Sequence, residues 1–155
     1  MYKSKGDLLK LAKNGEFDVV IHGANCHCIF GAGIAKQIKL QYPCAYDADL
    51  KTVRGDVGKI GTYSHAKTND GFIIVNAYTQ YDFNKNGEVL DLFEYEGFYK
   101  ILKQLKHEFG GVRYGFPYIG MGLAGGNSEK IIKLIEDFSD EVSEIGGSVT
   151  LVEYA

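Results

Sequence analysis

Two apolar rhythms alternate along the chain. Phe17-Asp18-Val19-Val20-Ile21-His22-Gly23-Ala24 is a nearly continuous apolar run of strand length, the pattern of a central strand covered on both faces. Gly58 to Ser64 and Gly71 to Tyr78 predict two more strands, parted by the turn Thr68-Asn69-Asp70-Gly71. Val112 to Tyr118, Ser148 to Val152 and a short opening piece, Tyr2 to Ser4, complete the strand set.

Between these runs the spacing becomes helical. Ile34, Ile38 and Tyr42 recur four apart until Pro43 stops the segment. Phe98, Leu102, Leu105 and Phe109 share one face of a longer helix that ends at Gly110-Gly111. Ile131, Ile135, Phe138, Val142 and Ile145 mark the last helix, with Asn127 or Ser128 as N-cap and Gly146 as terminator. Strands alternating with helices predict a helix-covered, mainly parallel sheet. No repeat or linker interrupts the pattern, and Asp82 to Asp91 reads as a polar loop. Residues 1–155 are therefore expected to form one domain.

Composition sharpens this reading. A length of 155 residues suffices for a core without disulfide help. Glycine (20) far outnumbers proline (2), which points to tight turns and close backbone approaches within a regular fold. Three cysteines, no signal-peptide pattern and no apolar run of membrane length predict a reduced, cytoplasmic protein with no membrane partner. A net charge of −3 provides no basic face for duplex nucleic acid. If the protein holds an anion, backbone dipoles must do most of the holding.

Candidate chemistry concentrates after the first long strand. Cys26-His27-Cys28 has the residue types of a metal knuckle, but Cys44, His65 and His107 are isolated, so no second ligand pair exists and no metal is expected. The cysteines read instead as small apolar fillers on the buried face of the strand. Gly31-Ala32-Gly33 then opens the helix, with Ile34 and Ala35 in its first turn. Unpaired N–H groups and the helix dipole make this a phosphate cradle. A small-residue turn for close packing fits the same residues equally well.

A second loop shifts the balance. Ile119-Gly120-Met121-Gly122-Leu123 again follows a strand and precedes a helix, and two such turns could close on a diphosphate from both sides. Gly120, Gly122 and Gly125 also spell the dinucleotide fingerprint, with Glu153 near the end of the next strand. That match fails because the chain ends at Ala155, leaving no strands for a nucleotide-binding half. Neither loop ends in the glycine-lysine-Ser/Thr of a P-loop. Asp7, after the opening strand, reads as a helix cap or as an acceptor for an exocyclic amine.

Taken in order, Gly6-Asp7-Leu8, the strand ending in Ala24-Asn25, the Gly31-Ala32-Gly33-Ile34-Ala35 loop and the Ile119-to-Leu123 loop resemble the macro domain family. The resemblance spans nearly the whole chain. It implies a three-layer α/β/α macro domain with a mainly parallel mixed central sheet, a single domain over residues 1–155, and ADP-ribose or its derivatives as ligand. ADP-ribosylated macromolecules are further implied partners, and no cofactor is. By position, Asp7 would hold the adenine amino group and the Leu8 amide the ring. Gly31 to Ala35 and Ile119 to Leu123 would wrap the diphosphate, Asn25 would reach the distal ribose, and Tyr154 would lie near adenine.

Within that family, His22-Gly23-Ala24-Asn25-Cys26-His27-Cys28 and the following Gly31 to Ile38 are most similar to the branch of fungal ADP-ribose 1″-phosphate phosphatase and the terminal ADP-ribose glycohydrolases. The glycohydrolases use a lysine after the middle strand and an aspartate in the second loop, whereas Ala77-Tyr78-Thr79-Gln80 and Ala124 stand at those places here. The resemblance thus implies the phosphatase: ADP-ribose 1″-phosphate to ADP-ribose and phosphate. Hydrolysis of ADP-ribosyl or O-acetyl-ADP-ribose substrates, and a non-catalytic ADP-ribose reader, are the alternatives. For catalysis Asn25 would orient ribose or water. His27 would act as general acid or base, since its ordinary pKa lies near neutrality, and Asp82 is the carboxylate placed near the same rim. An exposed loop histidine and a solvated turn aspartate are the plainer readings of those last two.

Overall fold

The computed structural model describes residues 1–155. Six strands, β1 (Tyr2–Gly6), β2 (Val19–Ala24), β3 (Tyr63–Lys67), β4 (Ile73–Tyr78), β5 (Arg113–Phe116) and β6 (Ser148–Tyr154), form one sheet in the order β1-β6-β5-β2-β4-β3. Every neighbouring pair is parallel except β3 with β4. Five helices accompany it: α1 (Leu8–Lys13), α2 (Gly33–Gln41), α3 (Pro43–Leu50), α4 (Tyr95–Phe109) and α5 (Ser128–Ser143).

The continuous apolar run of β2 is explained by the layers. Val19 and Ile21 join one core with Phe98, Ile101 and Leu105 of α4 and Ile131, Ile135 and Phe138 of α5. Val20 and Ala24 point the other way, into a core with Leu8 and Leu9 of α1, Ile38 of α2 and Ala45 of α3. Alternate side chains of one strand thus feed opposite cores. The architecture is a three-layer α/β/α sandwich on a mainly parallel mixed sheet, as expected.

Three expectations are corrected. The strand expected over Gly58 to Ser64 begins later, at Tyr63. Val57–Lys59 instead forms a single tight turn, because the Asp56 carboxylate accepts the Gly58 N–H at 2.8 Å. Pro43 does stop α2, but it also opens α3 as a first-turn residue, where its missing N–H costs nothing. Ile145 lies beyond the end of α5 and is exposed, rather than completing the apolar stripe.

Neighbouring strands β2 and β5 deliver their carboxyl ends to the same edge of the sheet. Crevices outside such ends are where open α/β sheets take ligands. Both glycine-rich loops start there.

Candidate functional site

The loops enclose a cleft of two joined chambers. The first, about 560 Å³, is floored by Gly23, Ala24 and Asn25 and walled by the two glycine loops; Gln80 and Phe83 reach into it from the segment after β4. The second, about 610 Å³, is bounded by Asp7, Leu8, Gln37, Val152 and Tyr154. Gly33, Ile34, Pro117 and Tyr118 line both, so the chambers form one elongated site. The first is mostly apolar with a few polar groups, as small-molecule sites usually are.

What the walls present is backbone. The amides of Gly31 through Ala35 donate to no group of the chain, and the first to turn inward is Lys36 N–H, which bonds Ala32 O at 3.2 Å. The amides of Gly120 through Ala124 are equally uncommitted; the turn is closed further on, by Gly125 N–H to Gly122 O and Gly126 N–H to Gly120 O. Two of these glycines are dictated by the fold. Gly33 (φ 55°) opens α2 in the left-handed region. Gly120 (φ 77°) lies so close to Phe93 that a Cβ would fall 2.3 Å from its ring. Gly122 is different: its φ is not left-handed, and a Cβ there would meet nothing within 4 Å. Nothing in the protein itself demands a glycine at that point.

Asp7 takes the first of its two expected roles, that of a helix cap. Its Oδ1 caps α1 by accepting from Leu9 N–H (3.0 Å) and Lys10 N–H (3.2 Å), which leaves Oδ2 and the Leu8 N–H uncommitted beside the second chamber. Tyr154 stands at the lip, 83% exposed. Met121 packs toward the core of α4 and α5 and does not line either chamber.

Asn25 is buried and structurally engaged. Its Oδ1 accepts from His27 N–H (2.9 Å) and Ile29 N–H (3.4 Å), and its Nδ2 donates to Ile29 O (2.9 Å). It folds the loop and keeps one Nδ2 hydrogen uncommitted at the chamber floor.

His27 and Asp82 come together, but outside the cleft. Their Nε2 and Oδ2 lie 3.8 Å apart, the imidazole rests edge-on against Tyr81 at 4.5 Å, and neither residue lines a chamber. The Phe83 N–H and then the Lys85 ammonium hold the Asp82 carboxyl below the usual carboxylate range. The two residues expected to take part in catalysis thus face each other away from both chambers. In the same turn Cys28 adopts φ 58°, a left-handed conformation unusual for a residue with a side chain.

The cysteines, expected on the strand's buried face, fall after its end and are buried in the turn. Cys26 donates to Gln80 O and Cys28 to Asp49 O. Burial pushes the Cys26 thiol up to about 11. Beneath the turn sits a group that the sequence does not advertise. Lys59 is buried, donates to Cys26 O at 3.2 Å, and lies 4.5 Å above the Tyr78 ring. Tyr78 in turn donates to Asp49 (2.6 Å) and bonds Ser64, which accepts from Asn76, the partner of buried His22. This relay fixes the far side of the loop whose near side forms the chamber.

Comparison with known proteins now has a geometry to meet. No protein-family model matches the chain. The 17.5 kDa protein of the tk-vs intergenic region of phage T4 is 31% identical over 148 residues, covering 89% of each chain. Among solved structures, the macrodomain of Mycobacterium tuberculosis DarG superposes with a TM-score of 0.73 at 19% identity, covering 97% of this chain and 96% of the other. The Trypanosoma brucei macrodomain in complex with ADP-ribose superposes with a TM-score of 0.67 at 13% identity, covering 98% of this chain and 62% of that one. Likeness at these identities concerns the path of the backbone.

Proposed function

Because the chain belongs to one family with the 17.5 kDa protein of phage T4 and carries the macrodomain fold, we propose that its cleft binds ADP-ribose. The observation that carries this reading is the pair of uncommitted amide rows, Gly31–Ala35 and Gly120–Ala124, across one chamber in a protein of net charge −3. Amide donors at a helix start hold a diphosphate without lysines. Asp7 Oδ2 and the Leu8 N–H then offer an acceptor and a donor to adenine at one end, and Asn25 lies toward the distal ribose at the other. The neighbour solved with ADP-ribose supports the same ligand class. Calorimetric titration with ADP-ribose, ADP and NAD tests it: ADP-ribose is expected to bind and to lose its affinity in Gly122→Val. Absence of heat and of any thermal shift with all three ligands refutes the reading.

The finer proposal is hydrolysis at the distal ribose, ADP-ribose 1″-phosphate and water giving ADP-ribose and phosphate. It is supported by the Asn25 amide at the chamber floor and by the similarity of the His22-to-Cys28 run already noted. No carboxylate, histidine, lysine or arginine lines the first chamber, so the rate would come from positioning water and stabilising oxygens with oriented donors. His27 and Asp82 would contribute only by bracing the loop. Phosphate release from ADP-ribose 1″-phosphate, lost in Asn25→Ala, is the expected result. Binding of ADP-ribose without release identifies a reader of ADP-ribose or of ADP-ribosylated macromolecules.

A further inference from the structure

We propose that Gln80 is the residue that distinguishes ADP-ribose from shorter nucleotides, by hydrogen-bonding the hydroxyls of the distal ribose through its neutral side-chain amide. This rests on the ADP-ribose reading above and assigns a specificity-determining group within it.

Four observations converge on Gln80. It reaches into the first chamber, which extends away from Asp7, and is only 9% exposed. Apart from Asn25 and Tyr118, the other side chains around that chamber, Phe30, Phe83, Ile119 and Ala124 among them, are apolar. Its own polar atoms are nearly unemployed: Oε1 has one long contact, 3.5 Å from Thr79 Oγ1, and Nε2 donates to no group of the chain. Asn25, the other amide in the chamber, already spends three hydrogen bonds on its loop. Nε2 is open to the chamber rather than sealed in the core, so a ligand hydroxyl that reaches it gains a hydrogen bond in mostly apolar surroundings.

The backbone around Gln80 is fixed before any ligand arrives. Gln80 bridges Phe93, the Thr79 carbonyl accepts from Glu94 N–H at 2.7 Å, and the Tyr81 carbonyl accepts from Cys26 N–H at 3.1 Å. Both neighbours are therefore tied by backbone hydrogen bonds to other segments of the chain, Thr79 to Glu94 and Tyr81 to Cys26, and the side chain between them starts from a fixed backbone. An amide offers a donor and an acceptor together, which suits the paired hydroxyls of a furanose. It carries no charge to reward a bare phosphate, so the selected group is an uncharged polyol attached to the diphosphate.

The test compares ADP-ribose and ADP by calorimetry on the wild-type chain, Gln80→Ala and Gln80→Met. The Met variant keeps the length of the side chain and removes both polar atoms. Each variant is expected to weaken ADP-ribose by about three- to tenfold, the worth of one or two hydrogen bonds, and to leave ADP unchanged. The unchanged ADP affinity also reports that the cleft is still folded. Equal losses for both ligands, or no loss for ADP-ribose, overturn the assignment while leaving ADP-ribose binding in place. If the wild type binds neither ligand, the ADP-ribose reading falls, and this assignment falls with it.

Discussion

Gly120 and Gly122, two residues apart, are glycines for opposite reasons. At Gly120 the left-handed φ and the Phe93 ring leave no room for a side chain. Gly120→Ala should lower unfolding free energy by about 1–3 kcal/mol in urea titration. Gly122 faces open space, so Gly122→Val should stay within about 0.5 kcal/mol of wild type while losing ADP-ribose binding; a variant that unfolds and still binds would invert this assignment. The thiols separate along the same line of local environment. Cys44 is partly accessible, whereas Cys26 and Cys28 are buried and burial raises the Cys26 thiol. Native protein at pH 8 should therefore titrate one thiol quickly with a disulfide reagent, and the other two only after unfolding.

Segments were legible in proportion to how locally they are determined. β2 and, up to Val142, α5 stand where their apolar spacing places them, and the α5 cap is Asn127, whose side chain accepts Lys130 N–H at 3.1 Å. Asn127→Ala should cost about 1 kcal/mol of stability by urea unfolding. α3 has no apolar rhythm in the sequence because it buries little more than Ala45 and Asp49. β3 starts later than its sequence pattern suggests because an Asp56 turn, not a strand, uses the preceding residues. The start of β5 is joined to β2 by Arg113, which donates through Nε and Nη2 to Asp18 and through Nη1 to Gly15 O. The guanidinium holds the Asp18 carboxyl below its usual range. The folded pKa is depressed, so the pair's contribution is complete above about pH 4–5 and disappears as acid protonates Asp18. Both side chains are about half exposed, so Arg113→Met should cost less than about 1 kcal/mol at pH 7. Urea stabilities of the two proteins should converge toward pH 2.

At the scale of the whole molecule, the glycine loops were readable because each is contiguous in the chain, but the wall facing them was not. Gln80 enters the chamber because β4 lies beside β2 in the sheet, and His27 lies outside it although Asn25, two residues earlier, lines it. Neither fact has a local signature. Occupying both chambers should stabilise the domain: ADP-ribose at a hundred times its dissociation constant adds about 2.7 kcal/mol, visible as an upward shift of Tm. No helix is long and apolar enough to cross a membrane. The parallel pairing of the first and last strands sets Tyr2 beside Thr150 and Gly6 beside Tyr154. An affinity tag appended after Ala155 would therefore emerge at the mouth of the second chamber, next to Asp7, and compete with whatever enters. The same tag placed before Met1 would hang from the opposite rim of the sheet, clear of the entrance, and is the arrangement to choose for titration.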